Sequence, residues 1–90
     1  MNYITFDDII DRIRHSINFE DIPSQTNSLY KLSREVHNSR DRLGPCSSFI
    51  LESISLLADM LNTDRCIYMR NEIKDTSEKI CDIITHMKLR

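Results

Sequence analysis

Residues 66–87 read CIYMRNEIKDTSEKICDIITHM, and this stretch decides the predicted fold. Within it, mostly apolar residues follow one another at alternating spacings of three and four. They are Cys66, Met69, Ile73, Thr76, Ile80, Ile83 and Met87. Such spacing keeps one stripe on a single side of a helix, and a second helix covers such a stripe best. The stretch therefore predicts a long, coiled-coil-like helix over 64–88.

Three shorter helices are predicted before it, which gives a four-helix arrangement. Their predicted ranges are 6–20, 27–43 and 48–62. Thr5 is placed to cap the first helix, Pro23 is expected to end it near residue 20, and Gly44 is expected to end the second. The third helix is apolar over most of its circumference, which predicts a central position in a bundle or a place in an interface.

The composition supports one all-α domain over residues 1–90. One Gly, two Pro and a single Val leave little material for hairpin turns or strands. Hydrophobic residues make up 40% of the chain and charged residues 29%, which is typical of a folded protein rather than a disordered tail. A chain of 90 residues buries only about 60–65% of its unfolded surface. Dimerisation or docking on a partner would enlarge its core.

A homodimer is predicted because the third and fourth helices carry more apolar surface than the first two obviously cover. The expected interface side chains are Ile54, Leu57 and Leu61 on the third helix and Met69, Ile73, Ile80, Ile83 and Met87 on the fourth. The alternative is a closed monomeric bundle in which the same side chains form the core. Tyr3, Tyr30 and Tyr68 fit either an interface or the half-buried edge of a core.

Charge is balanced along the chain, which argues against nucleic acid as a partner. Residues 1–45 and residues 46–90 each carry six basic and seven acidic side chains. Lys31, Arg34 and Arg42 on the second helix are the possible contacts to a polyanion. Glu35 and Asp41 interrupt that patch, so an ordinary solvated face is the favoured interpretation.

The cysteine pattern favours a reducing compartment. Cys46, Cys66 and Cys81 form an odd set without a CxxC pair, which fits a cytoplasmic protein better than a disulfide framework. Cys66 and Cys81 lie on the apolar side of the fourth helix and are interpreted as buried structural residues. Neither a signal peptide nor an apolar run of membrane-spanning length is present, so no membrane association is expected.

No catalytic, metal or cofactor site is predicted. The cysteine spacings match no compact zinc pattern, and His15, His37 and His86 fall on different segments. The chain has no GxSxG, Walker A, GxGxxG or HExxH motif. Cys46 lies near a helix N-terminus, yet nothing in the sequence supplies a base to activate it. We therefore expect a protein without enzymatic activity.

Residues 50–73 resemble the small enterobacterial biofilm-development and acid-resistance regulators. The matching residues are Ile50, Leu51, Ile54 and Leu57 on the third helix and Asp64, Tyr68, Arg70 and Ile73 on the fourth. The chain departs from the pattern at Ala58 and Lys74, where Glu is expected. The resemblance implies a helical homodimer that connects to two-component signalling by binding a sensor or a transcription factor rather than DNA.

The sequence thus favours a small regulatory or adaptor protein that binds another protein, in bacterial signalling or in stress or biofilm regulation. Two alternatives are open at this point. A secretion chaperone or a toxin-neutralising immunity protein is also small, acidic, helical and without enzymatic activity. A DNA-binding or nucleoid-associated protein would use the basic side chains of the second helix.

Overall fold

The computed structural model describes residues 3–89, and this range contains helices and turns but no strand. The helices are α1 (Phe6–His15), α2 (Ile22–Asn38), α3 (Arg40–Leu43), α4 (Cys46–Leu61) and α5 (Arg70–Lys88). The all-α prediction is confirmed. The four long helices follow the predicted order, and α3 is a single turn that follows α2 after a break. None of the helices within residues 3–89 has the length and apolar character needed to cross a bilayer.

α1 begins at the predicted residue because Thr5 and Asp8 form a capping box. The Thr5 hydroxyl accepts a hydrogen bond from the Asp8 amide, and the Asp8 carboxylate accepts one from the Thr5 amide, both at 3.1 Å. The predicted end near residue 20 is wrong, since the helix stops at His15. Phe19 then adopts a φ of 61°, a left-handed conformation that no helix of L-residues continues through.

α2 begins at Ile22, five residues earlier than predicted. The Asp21 side chain caps it by accepting a hydrogen bond from the Ser24 amide at 3.3 Å. Pro23 falls in the first turn, where the missing N–H needs no partner, so this proline opens α2. The predicted continuous helix to residue 43 is also wrong, because Ser39 leaves helical geometry at φ −104° and ψ 9°.

The predicted stop at Gly44 is confirmed. α3 ends at Leu43, and the Gly44 amide donates to the Arg40 carbonyl at 2.9 Å. Gly44 has φ 72° and ψ −153°, a combination that essentially only glycine adopts. The backbone reversal between α3 and α4 therefore depends on this glycine.

α4 supplies a large part of the core, since Ile50, Ile54, Leu57, Ala58 and Leu61 are all buried. It packs most extensively against α2 and also against α5, whereas α1 packs mainly against α5. Ile50, Ile54, Leu57 and Ala58 have no exposed surface. Burial of such side chains contributes about 1.5–3 kcal/mol each for Leu or Ile. The apolar core around α4 is thus the main source of stability.

α5 begins at Arg70, so its predicted start at residue 64 is wrong. α4 stops at Leu61 with Asn62 as its C-cap, as the turn-forming residues 62–64 predicted. After this cap, the Cys66 amide donates to the Thr63 carbonyl at 3.2 Å, and the Met69 amide donates to the Cys66 carbonyl at 3.1 Å. These turns carry the Cys66 side chain into the core, where it is 5% exposed.

The buried stripe of α5 departs from the predicted heptad ladder. Its buried members are Ile73, Ser77, Ile80, Cys81 and Ile84. Ile73, Ser77, Ile80 and Ile84 keep the alternating spacing of four and three, but Ser77 and Ile84 face the core in place of the predicted Thr76 and Ile83. Ile83 consequently lies at the edge of the core and is 44% exposed.

Three ion pairs join the helices at the surface. Arg14 of α1 approaches Glu78 of α5 at 3.7 Å, and Lys88 of α5 approaches Asp7 of α1 at 2.6 Å. The third pair joins Arg12 of α1 to Glu35 of α2. All six side chains are substantially exposed to solvent, and such pairs typically contribute about 0.2–1 kcal/mol each. They therefore add little to the free energy of unfolding.

Candidate protein-interaction surface

Most of the side chains predicted at a dimer interface lie inside the single chain. Five of them, Ile54, Leu57, Leu61, Ile73 and Ile80, are between 0% and 6% exposed. Side chains without surface cannot contact a second copy in this conformation. Their assignment to an interface is therefore corrected to intramolecular core, as in the closed-bundle alternative. The other three are accessible: Met69 and Met87 are half-buried, and Ile83 is exposed.

The basic side chains predicted as polyanion contacts do not form one stripe. Lys31 and Arg34 are exposed on α2, but Arg42 follows the break at Ser39 and belongs to α3. Its guanidinium lies 4.2 Å from the centre of the Tyr3 ring, which is a cation–π contact. The continuous helix on which the predicted patch depended is absent from this region.

The buried positions predicted for two cysteines are confirmed. Cys66 and Cys81 are buried, and Cys46 is half-buried as the first residue of α4. Desolvation by burial raises the pKa of the Cys81 thiol, which lies 4.0 Å from the Ile10 carbonyl oxygen. A thiol of raised pKa is a poor nucleophile, so Cys81 acts as a small core residue.

The histidines occupy separate places and converge on no common centre. The Nδ1 atoms of His15 and His86 lie 2.7 Å and 2.8 Å from the carbonyl oxygens of Asp11 and Asp82, one helical turn earlier. His37 instead lies beside the Arg40 side chain. Among residues 3–89, no three His, Cys, Asp or Glu side chains gather as a metal site would require.

Two large apolar side chains protrude side by side from the connection between α4 and α5. Ile67 is 62% exposed and Tyr68 is 88% exposed. The residues on either side of them point inward, since Cys66 is buried and Met69 is half-buried against the core. We call residues 63–69 the apolar turn. It offers an aliphatic and an aromatic side chain from a backbone that is anchored on both sides.

Backbone hydrogen bonds connect the residues of the apolar turn. The Tyr68 amide donates to the Arg65 carbonyl at 3.0 Å, and the Ile73 amide donates to the Met69 carbonyl at 2.9 Å. Before the turn, the Asn62 side-chain amide donates to the Tyr30 hydroxyl at 3.2 Å and ties the end of α4 to α2. Binding to a hydrogen-bonded turn costs less conformational entropy than binding to a flexible loop, because less of the backbone has to be ordered.

A second accessible feature lies on the outer face of α4. We define the acidic groove as the shallow depression lined by Leu51, Glu52, Ser55, Leu56 and Asp59. Leu56 is 49% exposed, although other residues of α4 are buried in the core. α4 carries these two carboxylates and no basic residue. The groove therefore combines an apolar floor with a negative rim.

Ile67 and Leu56 were not identified from the sequence. A helix over 64–88 would place Ile67 beside the apolar stripe rather than on a protruding turn, so the wrong helix start concealed it. The four consecutive residues Cys66 to Met69, all apolar or aromatic, carried a usable signal. One helical face cannot bury four consecutive side chains, so some of them had to be exposed.

Comparison of the chain with protein-family models, with curated proteins and with solved structures gives no match. The resemblance of residues 50–73 to two-component connectors thus stays a prediction. The structure separates its matching positions into two environments. Ile54 and Leu57 lie in the core, whereas Tyr68 lies on the apolar turn.

Proposed function

We propose that this chain is a small non-enzymatic regulatory or adaptor protein that binds another protein through the apolar turn. The observation that carries the proposal is the exposure of two neighbouring side chains, Ile67 at 62% and Tyr68 at 88%, on a hydrogen-bonded turn. Tyrosine is enriched at protein interfaces because its ring buries a large apolar area and its hydroxyl still finds a hydrogen-bond partner.

The surroundings of these two side chains resemble the anatomy of a protein interface. Arg65 precedes them and Arg70 follows them, and both are exposed. Binding energy concentrates in a few anchors, among which Tyr and Arg are over-represented, while charged groups around an anchor govern specificity and association rate. Tyr68 would be the central anchor, Ile67 its apolar neighbour and Arg65 the charged rim.

The proposed setting is cytoplasmic signalling in stress or biofilm regulation, with the chain acting as a homodimer. The resemblance of residues 50–73 supports the pathway. The three free cysteines, two of them buried, support a reducing compartment. Ile83 at 44% exposure shows that part of the predicted α5 stripe remains accessible to a second copy.

Affinity capture from a bacterial extract, followed by quantitative mass spectrometry, tests the proposal. The wild type is compared with the double variant Ile67→Ser and Tyr68→Ser. Both positions are exposed, so the variant keeps its core and should fold normally. We expect a protein recovered with the wild type to fall at least about tenfold in the variant, because loss of a hot-spot aromatic costs about 2 kcal/mol or more.

Leu89→Ser is the matched control, since Leu89 is also an exposed apolar residue, at 76%, but lies far along the chain from the turn. It should retain capture. Equal recovery by all three proteins would contradict the proposal. The chemistry of the captured protein separates the remaining roles: a sensor or transcription factor supports the regulator, whereas a toxin or secreted effector supports the immunity or chaperone alternative.

A further inference from the structure

We propose that Phe19 is a positioning residue for the apolar turn. Its ring is held by a left-handed backbone, lies against Arg70 and Lys74, and fixes the start of α5. The inference rests on the proposed function, because the turn that Phe19 positions is the proposed binding surface. Phe19 belongs to the connection between α1 and α2, residues 16–21, whereas Arg70 directly follows the turn.

The backbone of Phe19 adopts a conformation that an aromatic residue rarely takes. Its φ is 61°, and Gly44 is the only other residue with a positive φ in the part of the chain that the structure describes. A Cβ raises the free energy of the left-handed region, so this conformation persists only where neighbouring groups hold it. The fold must therefore stabilise Phe19 from outside its own backbone.

Side chains on both sides of Phe19 supply this support. The Phe19 amide donates to Gln25 Oε1 at 3.3 Å, and the Glu20 amide donates to Asn18 Oδ1 at 3.0 Å. The side-chain nitrogen of Gln25 donates to the same Asn18 oxygen, so the two side chains are joined. Gln25 is only 6% exposed. Both ends of a buried amide side chain thus tie the connection to α2.

Two cations of α5 lie against the Phe19 ring. The Arg70 guanidinium is 5.2 Å and the Lys74 ammonium 6.0 Å from the ring centre, which are cation–π distances. Arg70 and Lys74 are one helical turn apart, where like charges repel. Neither takes part in the ion pairs found within residues 3–89, and Glu78, one turn beyond Lys74, is paired with Arg14. The electron-rich face of the ring offsets part of the repulsion between the two cations.

The contact lies where α5 lacks a cap. Met69 occupies the N-cap position with no capping side chain, and Arg70 is the first residue of the helix. Contact of Arg70 and Lys74 with one ring restrains the first two turns of α5. Uncapped helix ends open locally, so this restraint limits opening at the start of α5 and in the apolar turn joined to it.

Phe19 is also half-buried against the core, so a role as an apolar filler is the alternative. The two roles differ in what they require of the side chain. A filler needs apolar volume, which leucine supplies, whereas a cation–π contact needs an aromatic face. Phe19→Leu and Phe19→Tyr therefore separate them. Both substitutions keep a Cβ, so neither relieves the left-handed backbone.

Amide hydrogen exchange of the full chain, resolved by NMR, tests the inference without a partner. The readout is the exchange rate of the Met69 and Ile73 amides, which donate to the Cys66 and Met69 carbonyls. We expect Phe19→Leu to raise both rates at least about threefold, since two cation–π contacts are lost. Phe19→Tyr keeps an aromatic face and should leave both rates at the wild-type value.

Phe49→Leu is the matched control. Phe49 is also half-buried against the core, but the cation–π contacts found within residues 3–89 do not include its ring. This variant should leave the exchange of Met69 and Ile73 unchanged. The Ile54 amide, in the middle of α4, serves as the reference for global unfolding and should exchange at the wild-type rate in Phe19→Leu.

A double-mutant cycle isolates the contact between the ring and the cations. Arg70→Gln and Lys74→Gln together remove both charges at exposed positions. In that background Phe19→Leu should no longer change the exchange rates, because the ring has no cation left to contact. A filler would give the same effect in both backgrounds.

Four results would each overturn the inference: unchanged rates in Phe19→Leu, equal rates in the Leu and Tyr variants, an equal rise in the Phe49 control, or a Phe19→Leu effect that persists without the two charges. The proposed function is judged separately by affinity capture. A chain that shows the expected exchange but captures nothing through Tyr68 keeps the positioning role and loses the function. A chain that captures a protein through Tyr68 without the expected exchange does the reverse.

Discussion

The first turns of α1 and α5 are built in different ways. At α1, Thr5 and Asp8 exchange two hydrogen bonds at 3.1 Å and define the start of the helix locally. At α5, Met69 occupies the N-cap position with no capping side chain. The start of α5 is set instead by burial of Cys66 before it and of Ile73 within its first turn. Adjacent residues thus determine the start of α1, whereas packing against the core determines the start of α5.

Replacing Ile73 by Ala should produce the largest effect, because Ile73 packs the first turn of α5 into the core. Ile73 is fully buried, so the substitution removes apolar contacts and leaves a cavity. We expect the free energy of unfolding to fall by about 2–5 kcal/mol, measured by urea denaturation. The matched variant Ile83→Ala, at a 44% exposed position of the same helix, should lose far less. Similar losses at both positions would contradict the contrast.

Gly44 is a third kind of boundary, which depends on the backbone of one residue. Gly44→Ala should lower the free energy of unfolding by about 1–3 kcal/mol. The cause is conformational, since a Cβ at this position would meet no atom within 4 Å. Gly44→Asn should fail to rescue stability, because a ψ of −153° lies outside the left-handed helical region that Asn tolerates. If either variant had the stability of the wild type, the conformation of residue 44 would not require glycine.

The sequence predicted those parts of the fold that neighbouring residues determine. The Thr5 cap and the Gly44 stop both follow from local patterns and are confirmed. The starts of α2 and α5 were wrong for different reasons. A proline such as Pro23 can either end one helix or open the next. The hydrogen bond from the Ser24 amide to the Asp21 side chain shows that Pro23 opens α2.

The candidate surface was less predictable than the fold. Tyr68 was noted as an interface residue or a core edge, but Ile67 and the groove on α4 depend on where the chain turns. A helical ladder through Cys66 and Met69 fitted the sequence as well as a turn does. The turn is favoured in the folded chain because it places Cys66 inside the core. The burial of Cys66 depends on tertiary packing, which the spacing of apolar residues in the sequence does not determine.

Thr5→Ala tests the contribution of the capping box to the start of α1. Loss of the hydroxyl leaves the Asp8 amide without its capping acceptor, and N-cap substitutions of this type cost about 0.5–2 kcal/mol. Chemical denaturation measures the change. Thr63→Ala is the matched control, since that hydroxyl donates to the Met60 carbonyl at 3.0 Å in the last turn of α4 and accepts no bond at a helix N-terminus. The prediction fails if the control is the more damaging of the two.

The same cap should respond to acid. Hydrogen bonds from the backbone and side chain of Thr5 lower the pKa of Asp8 in the folded chain. The carboxylate therefore contributes stability above its unfolded pKa of about 3.9, and this contribution is lost as pH falls below that value toward the folded pKa. The difference in stability between wild type and Asp8→Asn should shrink as pH falls below about 4. A difference that is constant with pH would contradict the role of the cap.

The smallest changes in stability are expected for substitutions on the outer face of α2, which forms neither the start of α1 nor the start of α5. Lys31→Ala and Arg34→Ala should each change the free energy of unfolding by less than about 0.5 kcal/mol. We also expect the wild type to show no duplex DNA binding at physiological salt, in a fluorescence anisotropy titration. Micromolar, salt-sensitive binding that is lost in the double variant would instead support the nucleoid-associated alternative.

The pairing of α1 with α5 has a consequence for biosynthesis. Cys81 of α5 contacts the Ile10 carbonyl of α1, 71 residues earlier in the chain. At about 5–20 residues per second, a ribosome needs roughly 4–14 s to supply that partner. During this interval the apolar face of α1, with Ile9 and Ile13, has no α5 to cover it. α1 therefore completes its packing only after α5 has been synthesised.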